Sequence, residues 1–371
     1  MRETETIQRA RHEVEVCNAC RYCEGFCAVF PALELRREFS AGDLSYLANL
    51  CHGCRGCYYA CQYAPPHEWG INIPRIMADV RQQSYAEYAW PKGMGGLFER
   101  NGTVVALLTA GAIAAVLILS MLLVSPDAFW KARPAEEGSF YAVIPLAVMQ
   151  VVGIATFGFA LVAMAMGARN FWRDAGPTER LDAKGWGLAI RDVLTLRHLG
   201  GGGGVDGCND NSEAFSMRRR HLHHAMFYGF GLCFASTTVG FFYHALFGWH
   251  APYAFFSVPV LLGTAGGILL TIGSVGLLAL KLVDDPGPAL RAALGGDVAM
   301  LLLLALAAVT GLVLLAVRST GAMGLALAIH LGFILALFLA LPYSKMVHGV
   351  YRTAALLRRA AERDMKPLGG E

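Results

Sequence analysis

Six long apolar stretches constrain this chain more than any other feature. They are Gly102–Ser125, Phe140–Met166, Leu222–Gly248, Phe255–Leu282, Val298–Val317 and Ala322–Leu341. Each offers about 20 or more mostly apolar residues, enough to cross a hydrocarbon core of about 30 Å at about 1.5 Å per helical residue. Pro145 and Pro259 fall near the starts of their stretches, where a helix tolerates proline best. A buried soluble bundle is the competing reading. Six such stretches in a chain that is 55% hydrophobic and 16% charged argue against it. Residues 101–371 therefore read as a six-helix transmembrane bundle, preceded by a polar, cysteine-rich region over residues 1–100.

The connections set the orientation. Pro126–Ser139, Trp249–Ala254 and Arg318–Gly321 together carry only Lys131, Arg133 and Arg318. The opposite side receives Arg169, Arg173, Arg180, Lys184, Arg191, Arg197, Arg218, Arg219 and Arg220, then Lys345, Arg352, Arg358 and Arg359. The positive-inside bias puts both termini in the cytoplasm, with Trp130 and Trp249 near the outer interface. The expected location is the bacterial inner membrane, multi-pass. A formal net charge of only +3, without basic and aromatic residues interleaved, gives no reason to expect nucleic acid as a partner.

Residues 17–27 and 51–61 are two copies of one pattern, C-x2-C-R-x-C-x3-C-x3-P, offset by 34 residues. Arg21 matches Arg55, and Pro31 matches Pro65. Thiolates at i, i+3 and i+6 can wrap three corners of a cubane, and the fourth ligand must then come from elsewhere. In two-cluster ferredoxins the fourth cysteine of each run serves the other cluster. That pattern predicts one [4Fe–4S] cluster on Cys17, Cys20, Cys23 and Cys61, and another on Cys51, Cys54, Cys57 and Cys27. Ala28 and Gln62 stand where such ferredoxins place a proline, so the exit from each loop should differ. Disulfides suit short secreted chains, whereas Met1–Glu15 is charged and lacks the apolar core of a signal peptide. Zinc sites use separated cysteine pairs rather than two runs of this spacing. The expected fold is thus an all-α membrane protein with an N-terminal, cytoplasmic, two-cluster ferredoxin-like helical iron–sulfur domain. Arg21 and Arg55 would raise the potentials of their clusters by placing positive charge nearby.

Histidines form the second constellation, because ionisable groups at membrane depth are functional suspects. His330 and His348 are eighteen residues apart, about five full turns, so on one continuous helix they share a face about 27 Å apart. His223 lies about 60° from the face of His244 and His224 about 200° from it, which favours His223, although a helix end that unwinds keeps His224 open. The third stretch runs outward and the sixth inward. His223 or His224 can then face His348, and His244 can face His330, as bis-histidine b-haem sites in a bundle require. One or two haems are expected. His12, His52, His67, His198 and His250 read as surface or loop residues.

The connection 168–220 contains Trp186, Ile190, Val193 and Leu194 at helical spacing beside Lys184, Arg191 and Asp192. This predicts an amphipathic helix on the inner leaflet, with packing under the cysteine-rich region an equally good use of the stripe. Gly200–Gly204 reads as a flexible linker, having neither a preceding strand nor phosphate-binding spacing. Cys208 is left without a role.

The first cysteine run, the segment Gly207-Cys-Asn-Asp with Glu213-Ala-Phe-Ser, His223-His-Ala-Met-Phe-Tyr-Gly-Phe, and Leu341-Pro-Tyr-Ser-Lys-Met-Val-His-Gly-Val-Tyr-Arg together resemble the tricarballylate (citrate) utilisation protein B family over nearly the whole chain. The resemblance implies a membrane electron-transfer protein carrying two [4Fe–4S] clusters and b-haem. It would reoxidise a separate FAD-dependent tricarballylate dehydrogenase and pass electrons to membrane quinone. The last stretch with its two histidines also looks like the haem-binding subunit of respiratory nitrate reductases. No catalytic triad, carboxylate pair or nucleotide fold is evident, so this is expected to be the electron-transfer subunit of an oxidoreductase, with substrate chemistry left to the partner. Two other readings compete: a quinol-oxidising module sending electrons inward to a soluble reductase, and a redox sensor without turnover.

Overall fold

The N-terminal region begins with helices whose starts are written in their caps. Thr4 accepts from the Ile7 N–H and opens α1 (Glu5–Cys20). After α2 (Val29–Leu33), Ser40 accepts from the Asp43 N–H at 3.1 Å and opens α3 (Ala41–Leu50). The short α4 (Gly56–Tyr59) follows, and Asn72 caps α5 (Ile73–Tyr88) with Pro74 in its first turn. Such caps satisfy amide groups that a helix start leaves orphaned. The computed structural model describes residues 1–133, 137–176, 181–201 and 207–365. Most of the Gly200–Gly204 run, and Arg180, lie outside the described residues.

The remaining helices are α6 (Asn101–Leu123), α7 (Pro126–Trp130), α8 (Leu146–Ala175), α9 (Ala183–Leu194), α10 (Arg218–Phe247), α11 (Val258–Leu282), α12 (Arg291–Val317), α13 (Met323–Ala340) and α14 (Val347–Ala361). A two-residue antiparallel ribbon, β1 (Cys208–Asn209) against β2 (Phe215–Ser216), interrupts the helices before α10. Among the described residues six helices are long and apolar enough to cross a membrane: α6, α8, α10, α11, α12 and the stretch Met323–Ala361. Their outward faces expose large apolar side chains, with Leu122 at 78%, Leu246 at 71% and Leu282 at 80%. Soluble monomers rarely present apolar area on that scale. The long α10 lies closely along α11 because small residues line the seam. A Cβ on Gly266 would come within 2.7 Å of the Cys233 backbone nitrogen, so the two backbones all but touch.

The sixth stretch departs from the continuous helix expected of it. It breaks at Leu341–Tyr343, a short 3₁₀ turn containing Pro342, and Ser344 is extended before α14 begins. Proline removes an intrahelical donor and clashes with the preceding turn, which is why the helix ends there. His330 and His348 consequently stand on separate helices, and the five-turn arithmetic that gave them one face does not apply.

The core of the N-terminal region is not closed by its own residues. Ile7, Val14, Leu44, Leu47, Ile76 and Val80 pack with Phe171 from α8, Ala189 from α9 and Tyr351, Ala355 and Leu356 from α14. A buried ionic network fixes the same junction. Arg358 donates to Asp43 at 2.9 Å and to Glu362 at 3.0 Å, the Tyr46 hydroxyl donates to Glu362 at 2.9 Å, and Arg36 pairs with both acids. On α9, Gly185 and Ala189 face inward while Trp186, Ile190 and Leu194 are half exposed. Three of the four stripe residues therefore stay outside the head's core, as a surface-lying amphipathic helix would have them.

Candidate functional site

Both cysteine runs turn at the arginine that follows their second cysteine. Arg21 ends α1 in the left-handed region at φ 54°, and Arg55 precedes α4 there at φ 69°. The repeat in sequence is a repeat in backbone. Such turns cost a non-glycine residue and persist only where surrounding structure demands them.

The first site gathers Cys17, Cys20, Cys23 and Cys61. Burial pushes the Cys17 thiol up to about 12, and Cys61, Cys23 and Cys20 act on it in the same direction. Cys23 is raised to about 11 by burial and by Cys61 and Cys20. Val16, Phe30, Tyr63, Ile71 and Ile73 enclose these sulfurs, and Tyr22 at the rim is exposed. The second site gathers Cys51, Cys54, Cys57 and Cys27. Burial raises Cys54 to about 11 and holds Cys57 and Cys27 well above the thiol range, with the other members of the same four contributing. Backbone N–H groups of Val29 and Phe30 point at Cys27, and that of Gly56 at Cys54.

Each set of four neighbours thus takes three sulfurs from one run and the last from the other. All ten cysteines are free thiols. Among the described residues no three Cys, His, Asp or Glu side chains converge tightly enough for a single metal ion. Thiols not drawn together around one ion, with amide donors aimed at sulfur, fit the corners of a cubane better than a tetrahedral zinc site. The residues present fit the group.

Beneath the second site lies a cavity of about 150 Å³ that opens to one side. Its walls carry His223 and His348, with ring centroids 6.2 Å apart and nearly perpendicular planes. Metal–nitrogen bonds of about 2 Å, plus roughly 1 Å from each nitrogen to its ring centre, require about 6 Å between imidazoles that share an ion. The His348 Nδ1–H donates to the Lys345 carbonyl at 2.5 Å, leaving Nε2 for the cavity. Among the described residues the buried Nδ1 of His223 has no hydrogen-bond partner. These two imidazoles stand at a separation that would let them hold one metal ion between them.

The other histidines are placed differently. His224 turns to the Thr195 carbonyl at 3.0 Å, away from the cavity. His244 stacks edge-on against His250 at 4.8 Å. His330 faces α12, 3.2 Å from the Thr310 hydroxyl and against Gly311. The ring contacts of His244 and His330 are therefore with other residues. His52, expected at the surface, is half-buried, binds the Leu50 carbonyl at 2.7 Å and lines the cavity roof. The two arginines of the repeat also differ. Arg21 is exposed and donates to the Asn18 carbonyl, whereas Arg55 is buried, donates to the Asp210 carbonyl at 2.6 Å and pairs with Asp284 at 2.7 Å.

Several residues missed by sequence reasoning complete the site. Asp297 sits between Lys281 and Lys345, at 2.6 Å from each, tying α11 and α12 to the turn before α14. Arg219 donates to the Gly53 carbonyl at 2.7 Å, and Arg352 to the Cys51 carbonyl at 2.8 Å. A signal for these two was present: Arg219 precedes His223 by four residues and Arg352 follows His348 by four, so each shares its histidine's helix face. Cys208 is buried in β1, donates to the Leu199 carbonyl, and neighbours Cys54, while the Asn209 N–H donates to the Cys54 carbonyl at 2.9 Å.

Fold and site together define a ferredoxin-like cysteine head built onto six helices apolar enough to cross a membrane. Family comparison agrees. The model of a family described as Citrate utilization protein B matches residues 97–368, and that of its Fer4-like domain matches residues 10–87. A curated relative, the citrate utilization protein B of Escherichia coli, is 45% identical over 367 residues, covering 97% of this chain and 93% of its own length. No solved structure matches the chain. The chain belongs to the citrate utilization protein B family.

Proposed function

We propose that this protein is the membrane electron-transfer partner of an FAD-dependent tricarballylate dehydrogenase, taking electrons from its reduced flavin and delivering them to the quinone pool. The observation that carries this reading is that His52, from the Cys51–Cys57 loop, lines the same cavity as His223 and His348. A cysteine head over a bis-histidine cavity has the layout of a one-electron relay. Two [4Fe–4S] clusters and a b-type haem, when bound, would supply the one-electron carriers.

The chain's own residues do the rest. Cys17, Cys20, Cys23 and Cys61 form the thiol set near the exposed Tyr22, where a soluble donor can approach. Cys51, Cys54, Cys57 and Cys27 form the inner set. His223 and His348 hold the cavity below, and the apolar helices set that cavity against lipid, where quinone dissolves. Both termini face the cytoplasm in this reading, as does the donor. The relative's citrate utilization name supports a place in citrate or tricarballylate use.

The test is steady reduction of a quinone analogue by reduced dehydrogenase through the purified protein. Turnover that requires the protein, and is lost in His348→Ala, is expected. No turnover with fully loaded protein would leave a sensor or a reversed module.

A further inference from the structure

The two cysteine sites have opposite electrostatic surroundings. Around the second, three guanidiniums grip the loop by its carbonyls. Arg219 holds Gly53, Arg352 holds Cys51 and Asn49, and Arg81 holds Cys51 at 2.5 Å and Ala48 at 3.0 Å. Among the described residues none of the three forms an ion pair. Arg55 is a fourth guanidinium there, paired with Asp284; Asp210 also faces this group, and Asp297 lines the same cavity between Lys281 and Lys345. Around the first site the charge felt by Cys17 and Cys61 is Glu13, one helical turn before Cys17, its carboxylate accepting from the Asn72 N–H at 2.8 Å, with Arg9, His12 and Arg75 farther out facing Glu13. Arg21 turns outward to solvent.

A cluster that gains an electron becomes more negative. Cations nearby favour the reduced form and raise its potential, and a carboxylate lowers it. Deeper burial of the second site works against reduction, since it penalises the more highly charged form. Four guanidiniums and two lysines against three carboxylates leave a cationic excess that offsets that penalty.

We propose that Arg81, Arg219 and Arg352 form a cationic clamp that makes the Cys51–Cys57 site the more easily reduced of the two, so that electrons run inward from the Cys17–Cys23 site to the histidine cavity. In that transfer the outer cluster is oxidised by one electron and the inner one reduced by one, with no bond or proton changed. The clamp is mechanical as well. Arg219 and His223 share one helix face, as do Arg352 and His348, so the groups that hold the loop also hold the distance to the imidazoles. This proposal rests on the relay reading and adds the residues that order the two sites' potentials.

The experiment is a redox titration of both clusters by paramagnetic resonance in the purified full-length protein, after iron and acid-labile sulfide have been measured on the same sample. The cluster perturbed by Cys54→Ser should titrate above the other. Arg219→Gln and Arg352→Gln should each lower that cluster's potential alone, Arg219→Lys should restore most of it, and Glu13→Gln should raise only the other cluster. A loop merely held in place by these arginines would not give charge-dependent shifts of one signal. An inner cluster titrating at or below the outer one overturns the proposal, as do arginine variants that shift both clusters equally or neither. Protein lacking both clusters would sink the relay and the clamp together, whereas clusters present in the wrong order would sink the clamp alone.

Discussion

The two cysteine runs share spacing, a left-handed arginine turn and an offset of 34 residues, yet the chain has put them to different uses. The first lies at the rim of the head beside exposed Tyr22, and its arginine points to solvent. The second lies under the β1–β2 ribbon, and its arginine is buried between Asp210 and Asp284. Duplication supplies two equivalent ligand sets. Their surroundings set them apart: one is open at Tyr22, the other enclosed by the ribbon and its buried arginines.

The strongest way to break this comparison is to remove ligands. Cys17→Ser and Cys61→Ser should abolish or alter the same cluster signal, with iron content falling by the share of one cluster, and leave the other signal intact. Perturbation of different clusters by the two variants would show that each run keeps its own fourth cysteine. A smaller effect separates the two arginines. Arg55→Ala leaves the half-shielded Asp284 without its partner and should destabilise the head by about 3 kcal/mol in denaturant unfolding, the low end for a broken buried pair. Arg21→Ala, at an exposed position, should fall within about 0.5 kcal/mol of the parent. Equal losses at the two positions would mean that the runs differ less than their contacts indicate.

Much of this molecule was legible before its structure. Composition and run length are local signals, and the six apolar stretches reappear as helices with ends shifted by a few residues. The two-cluster ferredoxin pattern suggested which thiols to group, and helical angle favoured His223 while leaving His224 open; the structure brings those thiols together as neighbours and turns His224 to the Thr195 carbonyl. Other features depend on tertiary arrangement. Pro342 was visible, but only the structure shows that the chain breaks there and starts a separate α14. The ion pairs of Asp297 with Lys281 and Lys345 join segments far apart in sequence, so no local pattern announces them. The four-residue spacing of Arg219 from His223 and of Arg352 from His348 could have been noticed. Its meaning needed the carbonyls of Gly53 and Cys51, which lie more than 150 residues earlier.

The central claim is that a thiol-bound iron–sulfur head sits directly over a haem held by two histidines. Anaerobically purified protein should contain iron and acid-labile sulfide for two cubanes together with a Soret band. That band should be lost or altered in His223→Ala and in His348→Ala, and preserved in His224→Ala. A protein with no Soret absorbance, or one whose spectrum is unchanged by loss of His348, would contradict it.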